Sequence, residues 1–433
     1  MTTPRSKDTD HAYRAHPSRP DRRPAPDLIH TEFPVDTSTS FDPEILGLPF
    51  YDDGHRRLAH EIGIWCDVNG ELWETARGMT PDEAGRHLVR TLGEDGWLAG
   101  LDPAAAPDGL PTDFRALCLA REALAYAEDL VDFAYSIQSL AATPIIRYGD
   151  EQQRKRYLPG MAAGSLIGAF AVTEKESGSQ VAAVGLRADR ATDGGYVLNG
   201  HKAWIANATI ADVYVVIART GEGPGPLGLT ALLVPADTPG VRVSERLGAI
   251  APRSFGHLAF EDCRVPADAV LGRPGKGFVI AIDLLERFRM TVGAAALGFG
   301  RRAADAALAH TRSRPASGGT LFDLQLVKSS LADMEIQLSA AALLVARAAW
   351  ECDRGGRGFA RHSSAAKVHA TEAAQAVVDA SVQLFGAAGV VTGGVTERLY
   401  RQIRSLRIYE GASDVLRLTI ADALDMRRAA RGG

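Results

Sequence analysis

Glu410, in the run Ile408-Tyr409-Glu410-Gly411, is the side chain whose setting best suits it to take a proton from carbon. A carboxylate becomes a stronger base where bound substrate expels water, because lost solvation disfavours its charged form. Gly411 beside it would let backbone and substrate approach closely. The same run also reads as a carboxylate near the start of the helix opening at Ser413 and Asp414, interacting only with the positive end of its dipole. Arg314 carries the group suited to a bidentate phosphate contact, or is a solvated helix-end charge. Glu286 and Arg289 are spaced for an ordinary surface i,i+3 ion pair. Thr173 and Ser179 read as strand-end or turn residues, and Trp204 as core. Cys66, Cys118, Cys263 and Cys352 are far apart without a C-x-x-C pair, so neither a metal site nor a disulfide framework is expected.

Three blocks of different period must hold these residues. Over 43–164 apolar residues recur every three or four positions, as in Leu117, Leu124, Leu130 and Phe133, with loops at Asp102-Pro103 and Ala106-Pro107. A short helix opens at Tyr148-Gly149-Asp150 and ends near Pro159. Over 165–275 the period is that of strands, at 166–172, 184–190, 196–198, 202–205, 213–218 and 229–234. Asp193-Gly194 and Asn199-Gly200 are hairpin signals, so an antiparallel sheet is expected. Absence of a strand-G-x-G-x-x-G-helix unit disfavours a dinucleotide fold. Over 276–428 the helical period returns, and Ser413 is placed to cap the last helix, with Val415, Leu416, Ile420 and Leu424 on neighbouring turns. Residues 1–42, rich in proline and arginine without hydrophobic period, read as a disordered tail. The class is α+β: helical, strand-rich, helical.

The 433 residues, 46% hydrophobic and 23% charged, suffice for two or three packed domains. A net charge of −5 asks for no nucleic-acid or anionic-membrane partner. No run reaches the ~20 apolar residues of a membrane span. Reduced cysteines fit a cytoplasmic protein.

Several segments in order resemble the acyl-CoA dehydrogenase family: Arg156-Tyr157-Leu158-Pro159, Val172-Thr173-Glu174 with Gly178-Ser179, Trp204-Ile205, Phe260-Glu261-Asp262, Gln383-Leu384-Phe385-Gly386, and Arg407-Ile408-Tyr409-Glu410-Gly411. The resemblance implies an N-terminal helical domain, a middle antiparallel β domain and a C-terminal four-helix bundle. It implies FAD as hydride acceptor and Glu410 as base in the α,β-dehydrogenation of an acyl thioester, carried on coenzyme A or a carrier protein. By the same resemblance Thr173, Ser179 and Trp204 meet the flavin. Arg314 reaches its pyrophosphate from a neighbouring subunit, Gln325 is a further cofactor-binding residue, and Gln383 and Gly386 approach the adenosine half. Glu286 and Arg289 stand at the mouth of the substrate tunnel, and Gly411 lies beside the thioester. An electron-transfer flavoprotein or another acceptor and a homotetramer, a dimer of dimers, are further implications.

Departures from the family pattern fall around the flavin. Ala206 replaces a threonine that donates to flavin N5, Lys175-Glu176-Ser177 replaces Pro-Gly-Ala, and Ser317 replaces a phenylalanine. Two alternatives therefore accompany the dehydrogenase expectation: a flavin oxidase or monooxygenase, and an inactive flavoprotein that binds a macromolecule.

Overall fold

A computed structural model describes residues 40–102, 104, 113–356 and 358–432, with side chains as far as residue 425. Residues 1–39 of the expected tail, and the loop signals at Pro103 and Ala106-Pro107, lie outside the described residues. The last three residues assigned to the tail belong to the fold. Ser40 is buried, Phe41 packs on the helical core, and the Asp42 carboxylate caps α1 (Pro43–Leu46), accepting from Glu44 N–H at 2.8 Å.

The N-terminal helices are α1, α2 (Asp53–Val68), α3 (Gly70–Gly78), α4 (Pro81–Glu94), α5 (Phe114–Ala127), α6 (Asp129–Tyr148) and α7 (Glu151–Ala162). α4 shows how local chemistry sets these boundaries. Thr80 and Glu83 form a reciprocal capping box, Pro81 occupies the first turn, and the inward stripe is Ala84, Leu88, Val89 and Leu92. α7 runs through Pro159 to Ala162, past the stop expected at that proline. α6 is buried along nearly its whole length, between the other helices and the sheet. Its Gln138 accepts from Gly168 N–H at 3.0 Å and donates to the Met161 and Leu166 carbonyls, fixing the helix to the first strand.

The sheet comprises β1 (Gly168–Ala171), β2 (Arg187–Arg190), β3 (Tyr196–Ala206), β4 (Val213–Arg219), β5 (Leu229–Pro235), β6 (Val241–Arg246), β7 (Phe255–Val265) and β8 (Val270–Leu271). Strand order is β6-β7-β3-β2-β4-β5-β8, with β1 paired to β4. It is chiefly antiparallel, but β1 and β2 both run parallel to β4. Asp193-Gly194 makes the β2–β3 turn as expected. Asn199-Gly200 does not turn the chain: it lies inside β3 as a bulge, where Gly200 has φ +141° and a Cβ would press on Leu186. Val213, Val215 and Ile217 face the helical core while Tyr214, Val216 and Ala218 face a second core, so β4 is apolar throughout.

The C-terminal helices are α8 (Gly277–Ser313), α9 (Gln325–Asp353), α10 (Phe359–Phe385), α11 (Val395–Ile403) and α12 (Ser413–Gly432); a short hairpin of β9 (Pro315–Ala316) and β10 (Gly319–Thr320) follows α8. α8, α9 and α10 pack on one another, and α12 lies against α10. By length and composition alone, α9 and α10 reach what a membrane span requires, contrary to expectation; both belong to this bundle. Ser413 does not cap α12. Leu416 N–H bonds the Ala412 carbonyl, placing Ala412 at the cap, and the Ser413 hydroxyl is buried without a partner among the described residues.

Candidate active site

Between α11 and α12 the chain makes a left-handed turn that no regular helix end requires. Ile408 and Tyr409 N–H both bond the Ser405 carbonyl; then Glu410 takes φ +54° and Gly411 φ +101°. Left-handed backbone costs a non-glycine residue about 1–2 kcal/mol, so the surroundings must enforce it. Glu410 as a residue is half-buried, while its Oε2 is closed off from solvent and has no hydrogen-bond partner among the described residues. Burial raises the pKa of the carboxyl above the ordinary range; Arg121, Lys367 and Arg289 oppose that rise, and Asp132 adds to it. Beside it burial pushes the Tyr409 phenol up to about 12, against Arg253 and Arg121.

The charged groups facing Glu410 come from four helices, and a loop residue, Arg253, faces its neighbour Tyr409. Arg121 of α5 makes two 2.9 Å bonds to the Asp132 carboxylate of α6 and a 3.0 Å bond to Thr291 of α8, all buried. Arg253, from the loop before β7, closes an ion pair on Asp129 and lies over the Phe133 ring at 4.8 Å. Burial lifts Asp129 to about 6 despite that arginine. Arg289 of α8 donates to Ser364 at 3.2 Å, and its Nε is buried without a partner among the described residues. Glu286, one turn earlier, has its pKa raised by burial, against the pull of Arg289. The structure therefore brings Glu286, Arg289, Glu410 and Gly411 into one electrostatic neighbourhood.

The remaining site residues named from the sequence form two sets. In the first, Ala203 N–H bonds the Thr173 carbonyl at 2.8 Å, which sets Thr173 beside Trp204. Trp204 departs from its core reading. The residue is 48% exposed, its φ is +54°, and its backbone N–H donates to His257 Nδ1 at 3.0 Å. Ser179 is exposed on a loop whose base is tied down by Glu174, which accepts from Gly185 N–H, Leu186 N–H and Lys202 at 2.7–2.8 Å. The second set stands at one end of the bundle, where His310 stacks on Phe385 at 4.1 Å and so joins the ends of α8 and α10. Arg314 follows α8, Gln325 opens α9, Gln383 lies in the last turn of α10 and Gly386 ends it at φ +62°; all four are exposed. An open aromatic face beside polar strand-end groups fits a flat conjugated ring, and exposed arginine and amide groups fit a phosphate-bearing ligand.

Four positions were not singled out from the sequence: Lys367, Arg121, Asp132 and His257. A signal existed for two of them. Arg121 interrupts the stripe of Leu117 and Leu124, and Lys367 lies in the stripe of Ser363, Ala370 and Ala374, all buried. A charge at a buried-stripe position marks a paired or functional group.

Residues 68–165, 169–263 and 275–424 match, respectively, the N-terminal, middle and C-terminal domains of acyl-CoA dehydrogenase. Human short-chain specific acyl-CoA dehydrogenase is 37% identical over 339 residues, 78% of this chain and 82% of that protein. Butyryl-CoA dehydrogenase of Megasphaera elsdenii has a TM-score of 0.77 at 30% identity, covering 86% of this chain and 98% of its own. A Mycobacterium smegmatis glutaryl-CoA dehydrogenase in complex with FADH2 scores 0.76 at 29% identity, covering 87% and 95%. The prolyl acyl carrier protein oxidase AnaB scores 0.78 at 26% identity, covering 86% and 99%. Fold and relatives together define an oxidoreductase that acts on CH–CH groups. The chain belongs to the acyl-CoA dehydrogenase family, which binds FAD.

Proposed function

We propose that this protein dehydrogenates an acyl thioester between its α and β carbons, with Glu410 as the base. The observation that carries this reading is Glu410 itself, held at a left-handed backbone position with its Oε2 buried and without a hydrogen-bond partner among the described residues. Glu410 takes the α proton, and burial keeps its carboxylate basic enough to do so. Its backbone N–H, with Gly411 leaving room alongside, donates to the thioester oxygen and stabilises the charge that forms there. FAD, when bound, supplies the acceptor for the β hydride. Thr173, Ser179 and Trp204 would hold its ring and pyrophosphate, and Arg314, Gln325, Gln383 and Gly386 would hold the remainder from a second copy of the chain. Glu286 and Arg289 would order the entering thioester. The products are a trans-2-enoyl thioester and two electrons, for which an electron-transfer flavoprotein is the proposed recipient.

One observation favours a second reading. Ala206 leaves a methyl where the family pattern has a hydroxyl, and AnaB is an oxidase. An oxidase would reduce oxygen to peroxide directly.

The test is anaerobic flavin bleaching by butyryl-CoA, glutaryl-CoA and a prolyl carrier protein, run on the wild type and Glu410→Gln. The variant should keep its flavin and lose bleaching by about 10³-fold or more. Bleaching at the wild-type rate would remove Glu410 as base. Peroxide formed in air at the rate of bleaching would select the oxidase.

A further inference from the structure

Lys367 lies on the inner face of α10 among Ser363, Ser364, Ala366, Ala370 and Thr371, and is itself completely buried. An ammonium group is costly to bury unless it is bonded and paired. Its Nζ donates to the carbonyl of Gly411 at 2.8 Å. The charged groups that face it are Glu410, Arg289, Glu372 and Arg407, with Glu410 the strongest of the anions. Glu372 is already engaged, by Arg407 at 2.7 Å and Arg417 at 3.6 Å. Glu410 is thus the anion left for Lys367 to balance, and the carbonyl it bonds belongs to the second residue of the left-handed turn.

We propose that Lys367 is the positioning residue of the base: it holds the Glu410–Gly411 turn from inside the bundle through the Gly411 carbonyl, and gives the Glu410 carboxylate a buried positive neighbour. The inference rests on the reading of Glu410 as base and extends it to how a strained turn is kept in place.

Two consequences separate this role from a merely structural one. Without the tether the carboxylate is misaimed, and an error of about 1 Å at a reacting group can cost ~10²-fold in rate. Without the charge, only Arg121 and Arg289 remain among the facing groups to oppose burial and Asp132, so the carboxyl of Glu410 holds its proton to higher pH. Burial pushes the ammonium of Lys367 down to about 8, so it still carries its charge on the acid side of that value.

The test compares flavin-loaded Lys367→Met, Lys367→Gln and Lys367→Arg with the wild type and Glu410→Gln. Anaerobic bleaching is followed from pH 5 to 9 with whichever thioester of the panel bleaches the wild type fastest. Lys367→Met should lose ~10–100-fold in maximal rate with little change in KM, and its acid limb should move up by about one pH unit. Lys367→Gln, which keeps a donor, should recover part of the rate with the limb still displaced. Lys367→Arg should keep the wild-type limb. Should the methionine variant not fold, the limbs of Lys367→Gln and Lys367→Arg decide, and identical limbs overturn the inference. A wild-type rate and limb in Lys367→Met, or a loss confined to flavin content and melting temperature, would also overturn it. If Glu410→Gln bleaches normally, the reading of the base has failed instead, a distinct outcome.

Discussion

At the scale of the residue, the site is a balance between burial and opposed charges around one carboxylate. Because the pKa of Glu410 is raised, a larger fraction stays protonated, and idle as a base, at any given acidic pH. The profile of kcat/KM should therefore rise with pH through an acid limb above the ordinary carboxylate range, a limb absent from the residual activity of Glu410→Gln. Steady-state rates from pH 4 to 9 check this. Gly411 contributes by its shape. At φ +101° a Cβ would meet Leu416 Cδ2 at 2.7 Å, so Gly411→Ala strains the turn twice, in backbone and in packing. A fall of ~10-fold or more in the bleaching rate, with flavin retained, is the expected stopped-flow result. Glu410 was legible in the sequence through its neighbours in the run. What holds it was not, because Lys367 is 43 positions away in the chain and meets it only once α10 and the turn pack together.

At the scale of the element, close packing sets the geometry that the charges exploit. α5 and α8 approach so closely that a Cβ on Gly298 would lie 2.2 Å from the Glu122 carbonyl. That closeness lets Arg121 reach Thr291, and Arg301 reach Glu122 at 2.8 Å, across the same two helices. Gly298→Ala should force them apart at a cost of about 1–3 kcal/mol, visible as a melting temperature lowered by several degrees. A long helix such as α10 was readable from its three- and four-residue spacing, and β4 and β5 from their short continuous apolar runs. The exceptions have physical causes. Asn199-Gly200 carries a hairpin signal but is overridden by pairing on both sides, since β3 bonds β2 and β7 across it. β6 alternates between half-buried and exposed residues as an edge strand, so its signal was too weak to separate from loop. Pro159 stops no helix because it falls late in α7, where few bonds remain to be lost.

At the scale of the molecule, the α9 face that carries Ile336 and Leu343 is 66% and 41% exposed at those residues, which lie two turns apart. Apolar side chains so placed are costly in water, and a second copy of the chain is the proposed cover. Ile336→Glu with Leu343→Glu should move the protein to a smaller species in size-exclusion chromatography. Flavin content should fall with it if Arg314 and Gln325 act across that contact. The order of helical, strand-rich and helical blocks was visible in periodicity, but the completion of a site by a partner could be suggested only by resemblance.

The half-exposed Trp204 also has an optical consequence. Of the five tryptophans, Trp65, Trp73 and Trp97 form one aromatic cluster in the N-terminal domain, with ring centroids 5.4 and 5.6 Å apart, and Trp350 of α9 meets Phe50 edge-on at 6.0 Å. Trp204 stands apart from them, edge-on to His257 at 5.6 Å and open to water. In flavin-free protein its fluorescence should be red-shifted and quenchable by iodide, and titration with FAD should extinguish it, while the cluster's emission follows only the melting of the helices. The difference between the wild type and Trp204→Phe thus isolates one intrinsic reporter of cofactor loading from the emission of the other four tryptophans.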